Sequence, residues 1–173
     1  MKPNKLRTIA LLVTASVLLG AGTAYAATQT VTSSIKYLTD LSFATVLSPN
    51  FGEVKQGVVG STYTLSTAGA VTPGSGGAIE GGTANAGDYT IIGSTGSVIN
   101  ITAGSYTKVG GSTPSAAVCK YNGGADVPGC SIVGAAAPGA GADLKVGLTI
   151  TSDGLTLDGI TDSPTFVLTV LYQ

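Results

Sequence analysis

The chain has 173 residues, among them 26 glycines, two cysteines and no histidine, and its formal charge is −1. The lack of histidine removes the commonest general base and the commonest metal ligand. Beyond residue 26 five lysines and no arginine face nine acids, a formal charge of −4, and nucleic-acid binding is excluded because phosphate neutralisation needs clustered Lys or Arg.

Lys2, Lys5 and Arg7 open the chain, Ile9 to Leu19 form an apolar run, and Ala24-Tyr25-Ala26 offers a small-x-small cleavage site. This is the pattern of a secretory signal peptide over residues 1–26. The run is shorter than the ~20 apolar residues that a spanning helix needs, so no transmembrane anchor is expected after cleavage. Residues 27–173 are then one exported domain, destined for the periplasm and cell surface or the medium. In such an oxidising compartment Cys119 and Cys130 are expected to form a disulfide around the loop 119–130.

Ala27 to Leu38 reads as a Thr-rich strand with Val31, Ser33, Ile35 and Tyr37 on one face. Leu41 to Leu47 follows, with Leu41, Phe43, Thr45 and Leu47 aligned, and Ser48-Pro49-Asn50 ends it. Val58 to Leu65 is the next candidate strand. Gly69 to Gly87 reads as loops around a short strand near Ala78-Ile79. Asp88 to Ile92 and Ser97 to Thr102 read as two strands joined by the Gly93–Gly96 turn. Residues 103–142 are the least regular, although Asn122-Gly123 predicts a turn whose base the disulfide clamps.

Order returns at Asp143 to Thr151, where Leu144, Val146, Leu148 and Ile150 alternate with Lys145, Gly147, Thr149 and Thr151. The last stretch, Gly159 to Gln173, places Phe166, Leu168, Val170 and Tyr172 on one apolar face. Short alternating strands between turn signals, with no helical period, predict an all-β chain. The expected architecture is an antiparallel immunoglobulin-like β-sandwich, with a small barrel as the fallback.

No catalytic, cofactor-binding or metal site emerges. Neither a Ser-x-x-Lys nor a Gly-x-Ser-x-Gly element is present. Asp153, Asp158 and Asp162 fit no calcium-loop spacing and read as turn-capping residues beside Gly154 and Gly159. Tyr121, in the cysteine loop, either contacts a ligand or packs its ring on the domain.

Leu41-Ser-Phe-Ala-Thr-Val46, Gly81-Gly-Thr-Ala-Asn-Ala-Gly-Asp-Tyr-Thr-Ile-Ile-Gly93, Gly96-Ser-Val-Ile-Asn-Ile-Thr102 and Phe166-Val-Leu-Thr-Val-Leu-Tyr-Gln173 together resemble the bacterial secreted domain-of-unknown-function family 4402. The cysteine loop and the long Gly/Ala segment stand as insertions in that pattern. The ending also resembles pilins of the chaperone-usher route: a penultimate Tyr172, alternating apolar residues, and Gly159 fourteen positions before Gln173. That resemblance implies a sandwich lacking one strand, which a periplasmic chaperone and then the N-terminal extension of another subunit supply.

The expected function is therefore a non-enzymatic fimbrial or pilus-like subunit that self-associates into a fibre with a chaperone and usher as partners. The assembly strands would be Val31, Ile35 and Tyr37 against Phe166, Leu168, Val170 and Tyr172. The alternative is a monomeric secreted or periplasmic adhesin module that binds a glycan or protein through its loops. Only Ala27 to Asp40 precede the Leu41 strand, so this segment serves either as a donor strand or as the domain's own first strand.

Overall fold

The computed structural model describes residues 29–173, so the leader expected at 1–26 and its cleavage site lie outside the described residues. Among the described residues twelve strands follow one another: β1 (Ser42–Leu47), β2 (Asn50–Val54), β3 (Thr62–Leu65), β4 (Val71–Gly74), β5 (Ile79–Asn85), β6 (Gly87–Ile92), β7 (Ile99–Thr107), β8 (Ser112–Tyr121), β9 (Asp126–Pro128), β10 (Ile132–Ala135), β11 (Ala142–Ser152) and β12 (Thr165–Tyr172). All their pairings are antiparallel. Among the described residues no helix is long and apolar enough to cross a membrane. Residues 36–173 pack as one compact unit.

β11 is the axis of the larger sheet. Its strict alternation buries Leu144, Val146 and Leu148 on one face, and burying each such side chain contributes about 1.5–3 kcal/mol. β8 runs along one edge of β11. The other edge is shared, with β6 beside Ala142–Val146 and β3 beside Leu148–Thr151. The handover falls at Gly147, where a Cβ would lie 2.2 Å from the Leu65 carbonyl oxygen. β1, β4 and β9 extend this sheet beyond β6, β3 and β8.

The smaller sheet has the order β10-β7-β12, and β2 pairs with β5 as a separate ribbon. Ile91, Cys119, Leu144 and Val146 of the larger sheet meet Ile99 and Ile101 of β7 in one apolar cluster. Phe166, Leu168, Val170 and Tyr172 pack against it half-buried. Two antiparallel sheets thus enclose a common core, in the manner of a β-sandwich.

The cysteine loop behaves as the sequence predicts. Asn122 and Gly123 take φ of 47° and 71°, the left-handed pair of a tight hairpin turn, and β8 and β9 pair across it. Cys119 and Cys130 form the disulfide with both residues fully buried and their Cα atoms 4.7 Å apart.

Five expectations are corrected. Residues 29–41 form no strand, although Val31, Ile35 and Tyr37 alternate as required; a strand needs a partner edge as well as a pattern. Val58 to Leu65 is a strand only from Thr62, because Ser61 N–H bonds back to the Val58 carbonyl around Gly60 at φ 83°. The Gly-rich stretch holds a longer strand, β5, whose pairing with β2 is broken by bulges near Gly81. Finally, β6 and β7 are consecutive but do not pair, since β1 and β11 occupy both edges of β6 and the chain crosses to the other sheet. Residues 103–142, read as irregular, supply β8, β9 and β10.

Candidate functional site

Among the described residues β1 pairs only with β6 and β12 only with β7, so within them each presents one unpaired edge. Along such an edge every second residue directs its N–H and C=O outward. A groove runs between these two strands, lined by Leu41, Ser42, Phe43, Ile91, Leu168, Thr169 and Val170. Its wall on the β12 side arises from alternation: Leu168 and Val170 turn inward, while Val167 and Leu171 are exposed on the opposite face. Phe43 is fixed in the other wall by edge-on packing against Tyr89, with ring centroids 5.9 Å apart. Phe166 stacks on Tyr106 at 6.0 Å.

No lining residue is ionisable. What this groove can do chemically is bind apolar side chains and, through the strand edges, extended backbone.

Tyr172 ends β12, two residues beyond the groove-lining Val170. Its hydroxyl accepts a hydrogen bond from the Ser94 N–H at 2.6 Å and donates to the Thr39 carbonyl. Thr39 N–H in turn donates to Ser94 Oγ at 2.6 Å. Lys36 Nζ donates to the Gly96 carbonyl at 2.6 Å and to Ser97 Oγ at 2.7 Å. The penultimate tyrosine therefore ties the root of the N-terminal segment to the β6–β7 connection.

Of the residues singled out by sequence, Phe166, Leu168, Val170 and Tyr172 lie together on the inward face of β12. Val31, Ile35 and Tyr37 are 83%, 74% and 84% exposed and belong to no strand. Leu41, Phe43 and Ile91 were not singled out as site residues. Leu41 and Phe43 show as an apolar face in the sequence, but their position opposite β12 is a property of the sheet order.

Tyr121 takes the packed alternative. It is buried, its hydroxyl donates to the Ala136 carbonyl at 2.8 Å, and burial raises its pKa.

The aspartates brace loops. Asp162 Oδ2 accepts from Gly111 N–H at 3.1 Å, Ser112 Oγ at 2.8 Å and Thr156 Oγ1 at 2.6 Å. These bonds, the Thr156 hydroxyl first, hold its carboxyl below the ordinary carboxylate value. Asp153 Oδ1 accepts from Leu155 N–H at 2.9 Å, and its other oxygen pairs with Lys108. Across the larger sheet Lys145 pairs with Asp88, whose pKa falls through that hydrogen bond, while burial raises that of neighbouring Asp143.

The chain matches no family model, no curated protein and no solved structure.

Proposed function

We propose that this protein is a secreted, non-enzymatic structural subunit, an immunoglobulin-like sandwich short of one strand, which assembles at the bacterial surface by β-strand complementation. Residues 27–38 of one copy would fill the groove between β1 and β12 of another. The observation that carries this reading is the pairing of opposites in one chain. Among the described residues an apolar groove is flanked by two free strand edges, while a segment with Val31, Ile35 and Tyr37 in alternation is exposed and belongs to no strand. Main-chain hydrogen bonds to a free edge supply affinity in this mode, and alternate side chains in the groove supply specificity.

The leader-like residues 1–26 support export, and a buried disulfide suits an oxidising compartment. During transit a periplasmic chaperone would occupy the same groove and an usher would receive the subunit. Deleting residues 27–38 tests the reading: electron microscopy should show filaments from the parent and none from the shortened chain. Undiminished filaments would overturn donor-strand assembly.

A further inference from the structure

We propose that Lys36, Thr39, Ser94 and Tyr172 form a latch that keeps residues 29–38 off the free edge of their own β1 and so holds them available to another copy. This rests on the strand-complementation reading and names what stops a chain from completing itself.

Self-completion is the nearest competitor of assembly. The segment leads directly into β1, whose second edge is unpaired among the described residues. A hairpin with β1 closes a short loop, at far less entropic cost than capturing a second molecule. Two tight turns could make it. A two-residue turn over Thr39-Asp40 would set Leu38 opposite Leu41 and Lys36 opposite Phe43. Opposed residues share a face, so Lys36 would enter the groove that Phe43 lines, while Ile35 and Tyr37 would turn away from it. This turn also requires φ > 0 at both central residues, which the β-branched Thr39 resists.

A three-residue turn over Leu38–Asp40 shifts the register by one. Tyr37 would then face Leu41 and Ile35 would face Phe43, both on the groove side. Only Asp40 is asked to take the left-handed conformation, which Asp tolerates. One self-completing hairpin is thus open to the chain.

That hairpin is unmade, and its turn is held by other partners. Residues 29–41 belong to no strand. Thr39, the middle residue of the turn, donates its N–H to Ser94 Oγ at 2.6 Å, and its carbonyl accepts from the Tyr172 hydroxyl. Ser94 N–H donates to the same hydroxyl at 2.6 Å, which joins the two contacts. Lys36 would stand beside Ser42 in the hairpin, yet its Nζ reaches the Gly96 carbonyl at 2.6 Å and Ser97 Oγ at 2.7 Å. Ser42 pairs with Ile92, the last residue of β6, so residues 94–97 lie past the end of the β1–β6 pair. The strand that offers its edge to a donor, β12, therefore also fastens the root of the chain's own donor segment through its Tyr172.

Hydrogen exchange on the secreted chain tests the latch. In the parent, diluted until only monomer is present, the amides of residues 31–37 should exchange freely. In Lys36→Met/Ser94→Ala/Tyr172→Phe these amides and those of β1 should gain protection that does not depend on concentration, and filament yield should fall at least about tenfold. Lys36→Met/Ser94→Ala leaves Tyr172 and the core unaltered; it should show the same change in smaller measure and guards against a fold lost with the tyrosine. Residues 31–37 left unprotected in both variants, with filaments at the parent's level, overturn the latch and leave complementation standing. Protection with undiminished filaments overturns the latch's part in assembly. No filaments from the parent overturns complementation, and exchange alone then decides the latch: protection on unlatching supports it, and its absence overturns it.

Discussion

Tyr172 shows how one hydroxyl links distant segments. Tyr172→Phe keeps the ring against the core but removes the donor to Thr39 and the acceptor for Ser94 N–H. A loss of about 1 kcal/mol is expected in urea unfolding, with faster amide exchange at Ser94. Gly147→Ala should cost more, about 3 kcal/mol, because the new Cβ meets the Leu65 carbonyl and the backbone cannot yield. Asp162 predicts a pH effect of definite sign. Its folded pKa is lowered, so its stabilisation is present above the unfolded value of about 3.9 and is lost as pH falls through the folded pKa. Asp162→Asn should flatten the acid limb of a thermal-stability profile below about pH 4. None of these three roles is legible from spacing. Tyr172 reads as a penultimate aromatic, Gly147 as one small residue in an alternating strand, and Asp162 as a loop acid; each acquires its task from a partner far along the chain.

At the scale of elements, what the sequence announces is alternation, and alternation was sufficient for β11 and β12. Leu144, Val146 and Leu148 are buried as their period requires, and Phe166 to Tyr172 turn one face to the core. It failed where pairing, rather than pattern, decides. β6 and β7 each look like half of a hairpin, yet the edges of β6 are taken by β1 and β11. The Val31 segment has the same period as β12 and is no strand, because alternation describes a face and says nothing about a neighbouring edge. The groove was half legible for this reason: one wall could be read as an apolar ridge in need of cover, whereas the β1 wall depended on sheet order. Reduction of the Cys119–Cys130 bond opens the ring that closes the β8–β9 hairpin at its seat in the core. It should lower stability by about 3 kcal/mol, the loop-closure value for a ring of this size, and a urea titration with and without reductant measures it.

For the whole molecule, the central strand is the late one. β11 joins β8, β6 and β3, all of which precede it in the chain, and Thr64 meets Thr149 across 85 positions. A chain truncated after residue 141 should show no cooperative urea transition by circular dichroism, whereas the full chain should show one. Removal of residues 27–38, by contrast, should leave the transition of the remaining sandwich in place while abolishing filaments.

The position of β11 also sets a timetable. On the export route proposed above, a chain threaded through a membrane from its N-terminus would deliver β1, β3, β6 and β8 before the strand that holds them together has emerged. Loop-closure entropy makes such long-range closure slow, and unpaired edges are adhesive while they wait. Between the arrival of Ser42 and that of Ala142 such a chain would have sheet pieces without a sheet, and on the proposed route this interval is when an escort would matter most.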